Sequence, residues 1–381
     1  MNLEFYLDNA ATTPVFPEVL DASLPYLRER FGNPSSLHAL GMESRKALRQ
    51  ARERLAGLLG VPPQAVTFTS GGTESDNLAL KGVFASPRLK GERLLVSAFE
   101  HPAVLASAAA LARQGVKVSQ VPVTRQGVVD LAALERLLDA DVRMVSCMAV
   151  NNELGVSQPL EEIGRIVKQA APRSVFHVDA VQAFTKQPLP WREAQIDLLS
   201  LSAHKVHGPK GSGALVRCRP VPLEPLQHGG GQEDDLRSGT ENPFGAVAFS
   251  LAAEQATRLH RAQAEERRAY YLRWQDALSA YPAARVFRSE RATPFVLHFS
   301  YPPIPGEVVL NHLEQEGLYV STGSACSTRK PEPSHVLRAV GIPAEDAVCS
   351  VRLSFSVHNT LAGMDPVLAG FQRAMARLAR L

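Results

Sequence analysis

Apolar positions along this chain alternate between two periods. They recur at helical spacing over 43–59 and are followed by Gly60, a good helix stop. A short run at 65–69 predicts a buried strand, and 74–85 is helical again. The exchange continues with a strand at 93–97, a helix at 102–114, a strand at 117–121, a helix at 131–138, a strand at 142–150 and a helix at 160–170. Further strands are expected at 174–178, 197–202 and 213–216. Strands separated by helices need crossover connections, so a largely parallel sheet covered by helices on both faces is expected. Near residue 246 the texture changes. One long or broken helix, rich in Ala, Arg and Glu, spans 246–281. A strand (294–301), a helix (308–315), a strand (351–357) and a helix (366–381) follow, which predicts a second domain of α+β type. No internal repeat is visible.

At 381 residues the chain exceeds one ordinary domain, and about 150 residues per domain suggests two or three. Its 45% hydrophobic and 21% charged residues exclude disordered and fibrous classes. A net charge of +3 is small for this length. Nucleic acid and acidic membranes favour strongly basic faces, so neither is expected as a partner. Met1-Asn2-Leu3-Glu4 lacks the basic-then-apolar pattern of a signal peptide. The most apolar stretch, 103–112, falls short of the ~20 residues that span a bilayer. A cytoplasmic protein is expected. Cys147, Cys218, Cys326 and Cys349 form no CxxC pair and no zinc-ligand spacing, so neither a disulfide framework nor a resident metal is expected.

Six segments could carry chemistry. Thr69-Ser70-Gly71-Gly72-Thr73-Glu74 ends a strand and opens a helix, where free N–H groups suit a phosphate; a plain turn with Thr73 as N-cap reads equally well. Asp179 follows a buried strand, where parallel sheets present ligand-binding groups, or else it caps the next helix. In Ser202-Ala203-His204-Lys205, a lysine sits between a strand and a Gly/Pro turn; desolvated there, its amine becomes a nucleophile able to form a Schiff base. A solvated surface lysine is the plainer reading. Gly323-Ser324-Ala325-Cys326-Ser327-Thr328 sets a cysteine among small polar residues, with Arg329 and Lys330 favouring thiolate. Cys147, in an apolar strand, reads instead as buried and inert. Gly229-Gly230-Gly231 and Arg237-Ser238-Gly239-Thr240 form a loop whose backbone could approach a ligand or a second chain. Arg352 alternates with apolar neighbours on a strand, as a carboxylate clamp or a structural ion pair would.

Together these segments resemble the cysteine desulfurases of the class V aminotransferase family, which are pyridoxal phosphate (PLP) enzymes of fold type I. Leu7-Asp8-Asn9-Ala10-Ala11-Thr12-Thr13-Pro14, Phe31-Gly32-Asn33-Pro34-Ser35-Ser36, Glu100-His101 and Asn151-Asn152-Glu153-Leu154-Gly155 carry the resemblance with the segments around Lys205, Thr240 and Cys326, in the family's order over almost the whole chain. It departs from the family's pattern at Phe99, Pro102 and Val357.

The resemblance implies a large PLP-binding domain (15–255) with a mainly parallel seven-stranded sheet, and a smaller α+β domain made of 1–14 and 256–381. Lys205 would hold PLP, Asp179 would pair with its pyridinium nitrogen and Gln182 with its ring hydroxyl. His101 would stack on the ring and carry protons. Gly72, Thr73, Ser202 and His204 would cradle the phosphate, with Thr240 reaching in from the partner subunit of a homodimer. Asn152 and Arg352 would grip the substrate carboxylate, and Cys326 would be the nucleophile. The implied reaction converts L-cysteine to L-alanine and leaves the sulfur as a persulfide on Cys326. From there it passes to an acceptor such as an iron–sulfur scaffold or a tRNA-thiolation protein. Cys326 would meet metal at most in passing, at an iron–sulfur cluster. Two other readings stand beside this one: a selenocysteine lyase or other class V PLP enzyme, and a catalytically inactive scaffold.

Overall fold

The computed structural model describes residues 2–322 and 334–380. Seven strands form the expected sheet: β1 (Val66–Thr69), β2 (Arg93–Ser97), β3 (Lys117–Val121), β4 (Val142–Met148), β5 (Val175–Asp179), β6 (Leu198–Ser202) and β7 (Gly213–Arg217). Their order is β1-β7-β6-β5-β4-β2-β3. β7 runs antiparallel to β1 and β6, and the other pairings are parallel. Helices Gly72–Ala85, Pro102–Arg113, Leu131–Leu137 and Leu160–Ala170 provide crossovers. Among the described residues, the β5–β6 connection is a run of turns with no helix.

The pleat divides the strand residues between two cores. Val145, Phe176, Leu199 and Val216 pack on one face, with residues of helices Ala39–Leu59 and Pro243–Ala262. Their neighbours Met144, Val175, Leu198 and Leu215 pack on the other, with helices Gly72–Ala85 and Pro102–Arg113. Helix Ala39–Leu59 starts earlier than its spacing suggests and stops where expected. Gly60 takes φ 66, and its N–H donates to the Ala56 carbonyl.

The stretch 246–281 resolves into two helices, Pro243–Ala262 and Ala264–Ser279. Beyond them β8 (Arg285–Val286), β9 (Val296–Ser300) and β10 (Ser350–Ser354) form an antiparallel sheet in the order β10-β9-β8. At two residues, β8 is too short to leave a periodic signal. A separate core gathers Trp274, Phe299, Leu313, Leu353 and Phe371, together with Leu7 from the N-terminal segment. Burying each such side chain contributes roughly 1.5–3 kcal/mol. Leu7 is tied in by backbone: its N–H donates to Tyr319 O at 2.8 Å, and its carbonyl accepts from Ser354 N–H at 2.7 Å. Among the described residues, no helix is long and apolar enough to cross a membrane.

Candidate active site

In a parallel sheet the strands end along one edge, and the loops there can gather functional groups. β5 ends at Asp179; β6 ends at Ser202 and runs into the 3-10 turn Ala203–Lys205. β1 leads to helix Gly72–Ala85, β2 to His101, and β4 to Asn152. Gly213, opening β7, lies so close to this edge that a Cβ there would come within 2.6 Å of Gly71 Cα. Arg352 of β10 and Ala10 and Ala11 of the N-terminal segment close the far side. A cavity of about 410 Å³ lies between them. Gly72, Thr73, His101, Asn152, Asp179, Gln182, Ser202, His204, Lys205 and Arg352, all expected from the sequence, line it. Thr240 does not: it is exposed, in a separate depression beside Ser70 and Arg237. Cys326 lies outside the described residues.

Lys205 is no solvated surface lysine. Its Nζ donates to the carbonyls of Ala10 and Ala11 at 2.6 and 2.7 Å. Asp179 Oδ1 accepts from Val181 N–H at 2.9 Å. Burial raises its carboxyl to about 6, against the opposing pull of that hydrogen bond and the Lys205 charge. The chain directly after Asp179 turns rather than forming a helix, so Asp179 caps a turn. His177, two residues earlier, is a satisfied core histidine between Ser146 Oγ and Ser200 Oγ, each at 2.9 Å.

His101 Nδ1 accepts from Ala103 N–H at 3.1 Å, which places the proton of the neutral ring on Nε2. Burial, then the charge of Lys205, brings His101 down to about 4. Burial and the same charge bring His204 to about 4, and its Nδ1 lies 3.1 Å from Thr12 Oγ1. Arg352 donates from Nη1 to Asn152 O at 3.0 Å and from Nη2 to Asp8 Oδ1 at 2.8 Å. The ion pair is present, and the guanidinium it braces also lines the cavity.

The residues fit PLP. Helix Gly72–Ala85 has Gly71 as its N-cap with no side-chain cap bond, so Thr73 is not the cap. Beside this helix start, Ser202 Oγ is buried without a hydrogen-bond partner among the described residues. An uncapped helix N-terminus facing an orphaned hydroxyl suits a phosphate. Asp179 and Lys205, a carboxylate and a primary amine suited to a ring nitrogen and an aldehyde, line the same cavity. The three departures from the family's pattern also find physical roles. Pro102 occupies the first position of helix Pro102–Arg113, where its missing N–H costs nothing, and Phe99 is fully buried. Val357 packs into the larger core.

Three acids went unassigned from the sequence. Asp76 lies four residues beyond Gly72, on the same helix face, which helical spacing could have shown. It lines the cavity and is held well above the carboxylate range by burial, then by Asp179. Glu153 also lines the cavity; burial raises it to about 7, and its Oε2 accepts from Ser334 Oγ at 2.6 Å. Glu100 is fully buried. Its Oε1 accepts from Ser97 Oγ and Met148 N–H, each at 2.6 Å, and burial raises its carboxyl to about 8. A carboxyl raised by folding stabilises the fold fully below its unfolded pKa and loses that contribution as pH rises through the folded value. Denaturant unfolding of the parent should therefore lose stability relative to Glu100→Gln between about pH 5 and pH 9, by roughly 3–5 kcal/mol. Parallel pH slopes for the two proteins would contradict a proton held on Glu100.

The chain matches the family model described as Aminotransferase class-V over residues 5–367. It is 41% identical to a protein named cysteine desulfurase IscS from Dictyoglomus turgidum, across 99% of this chain and 96% of that one. It is 42% identical to a mitochondrial cysteine desulfurase from Drosophila melanogaster, across 94% and 78%. A solved structure titled NifS-like protein matches with a TM-score of 0.92 at 38% identity, covering 99% of both chains. DndA from Streptomyces lividans matches with a TM-score of 0.76 at 34% identity, covering 92% of this chain and 99% of that one. Sheet order, cavity and near full-length similarity agree: the chain belongs to the class-V aminotransferase family of PLP-dependent enzymes, with fold type I.

Proposed function

We propose that this chain is a PLP-dependent cysteine desulfurase that converts L-cysteine to L-alanine and takes the sulfur onto Cys326 as a persulfide. The observation that carries this reading is the meeting of Lys205 and Asp179, from adjacent strand ends, in one cavity with Arg352. PLP, when bound, supplies an electron sink for charge developing on the substrate's α-carbon. Lys205 holds the cofactor and, once released by substrate, carries the α-proton. Asp179 keeps a proton at the ring nitrogen. Gly72, Thr73, Ser202 and His204 hold the phosphate, and Gln182 donates to the ring oxygen. His101, neutral with its proton on Nε2, would stack on the ring and offer that N–H to the reacting groups. Asn152 and Arg352 receive the substrate carboxylate.

The Cys326 thiolate attacks the Sγ of L-cysteine. An S–S bond forms as the Cβ–Sγ bond breaks. The electron pair of the broken bond stays with the carbon skeleton, which takes up a proton and leaves as alanine. The persulfide then passes its outer sulfur to an acceptor, proposed to be an iron–sulfur scaffold or a tRNA-thiolation protein of the cytoplasm. Cys147 is a poor substitute nucleophile, because burial pushes its thiol well above the usual range.

We also propose a homodimer. Leu27, Phe31, Leu37 and Met42 are 57%, 66%, 84% and 55% exposed, an apolar group that a second copy would cover. Thr240, exposed and away from its own chain's cavity, would then complete the partner's phosphate site. We also propose a functional division into 15–255 and 1–14 with 256–381: Leu7 shares a separate core with Trp274, Phe299 and Phe371, although Val336, Leu337 and Val357 pack into the larger core and helix Pro243–Ala262 runs through residue 255 unbroken.

The test is incubation with L-cysteine, quantifying alanine and sulfide together, for the parent and Cys326→Ala. The variant should keep the visible absorption of bound PLP while both products fall by at least ~10²-fold. A persulfide still found by mass spectrometry, on Cys147 for example, would overturn the assignment of Cys326.

A further inference from the structure

A second lysine stands behind the cofactor wall. Lys186 comes seven residues after Asp179, in the turns between β5 and β6. Its Nζ donates to Gln182 Oε1 at 3.2 Å. At the other end of that amide, Gln182 Nε2 donates to the Ala10 carbonyl at 2.8 Å. The same carbonyl accepts from Lys205 Nζ at 2.6 Å. Lys186, Gln182, Ala10 and Lys205 thus form one continuous hydrogen-bonded row along the cavity.

The two ends of a side-chain amide have nearly the same shape, so its partners decide its orientation. An amine only donates and therefore holds the oxygen end. A carbonyl only accepts and therefore holds the nitrogen end. Nε2 carries a second N–H beyond its bond to Ala10, and Gln182 lines the cavity. The backbone here is also unusual. Thr185, β-branched, takes φ 67, in the left-handed region that such residues avoid. Strain of this kind persists only where the surroundings hold it, and it immediately precedes Lys186.

We propose that Lys186 is a positioning residue, holding the Gln182 amide with its donor end toward the cavity so that an anionic oxygen on the bound ring is favoured there. This rests on the PLP reading of the site. Burial, with the charges of Lys205 and Arg352, brings the amine down to about 7. His204, His207 and His260 face it in turn, each pushed down by burial first and by its charge in part. The orientation survives loss of the charge, because a neutral amine still donates to Oε1.

The experiment compares the PLP-loaded parent with Lys186→Met, Lys186→Gln, Gln182→Leu and the Met/Leu double variant. Visible absorption is titrated across the neutral-to-alkaline range, and cofactor content is measured alongside. Lys186→Met should keep its PLP, while the midpoint rises by at least about 0.5 pH unit, because a Gln182 amide no longer held donor-end inward leaves the ring oxygen more negative and lets the linkage nitrogen keep its proton longer. Lys186→Gln retains an N–H donor and should recover most of that shift. In the Gln182→Leu background, Lys186→Met should shift the midpoint no further. Should Lys186→Met lose its fold, Lys186→Ala takes its place in the same comparison. A parent-like midpoint for Lys186→Met, an equal shift in the Gln182→Leu background, or no recovery by Lys186→Gln would each overturn the proposal. A parent chain with no visible band would overturn the PLP reading and this inference together.

Discussion

Lys205→Ala should release no alanine from L-cysteine above at most ~10⁻³ of the parent rate, and should show no visible absorption from covalently held PLP. On the proposed reading the side chain has two tasks that no other described residue of the cavity shares, holding the aldehyde and moving the α-proton. Histidines 101 and 204 are kept neutral by burial and by the charge of Lys205 itself, so neither replaces a primary amine. The substitution also leaves the carbonyls of Ala10 and Ala11 without their donor, at a cost of about 1–3 kcal/mol. The N-terminal segment should accordingly become easier to cleave by protease. Absorbance and an alanine assay decide the matter together. Turnover at the parent rate would remove Lys205 from the reaction.

Asp179→Asn should be nearly as damaging while leaving the fold intact. The amide oxygen can still accept from Val181 N–H, and the shape is conserved, so packing of the β5 end should not change. What is lost, on the proposed reading, is the carboxylate that would pair with the ring nitrogen. Removing one partner of a buried pair costs about 3–5 kcal/mol, which corresponds to roughly 10²- to 10⁴-fold in rate and in cofactor retention. Initial alanine rates and PLP release measured by dialysis should both report it. Parent-like values in both would mean that Asp179 serves only the turn.

Much of the fold was legible because the local signals are strong. β2 lies where expected, since a buried parallel strand leaves a compact apolar run, and so does β3, a more exposed strand at the sheet edge. Helix Leu160–Ala170 is likewise where its spacing put it. β4 and β10 stop short of the expected ends at Val150 and Val357. There the chain stays apolar although pairing has ended, because those residues are buried against other elements. The site was legible for a different reason. Most of its motifs sit just after a strand of the larger sheet, and parallel topology brings strand ends together whatever lies between them; Arg352, within β10, is the exception.

Other features could not be read along the chain. Arg352 and Asp8 stand 344 positions apart, so no spacing foretold their ion pair. Lys186 would pass for a surface lysine until its contact with Gln182 is seen.

By itself the sequence determined which segments become strands and helices, and which residue types stand at the strand ends, because side-chain period and turn chemistry are local properties. Only the tertiary structure decided which of those groups carry charge. Asp179, Glu100, Glu153 and Lys186 leave their ordinary ranges through burial, and burial is produced by neighbours from distant parts of the chain.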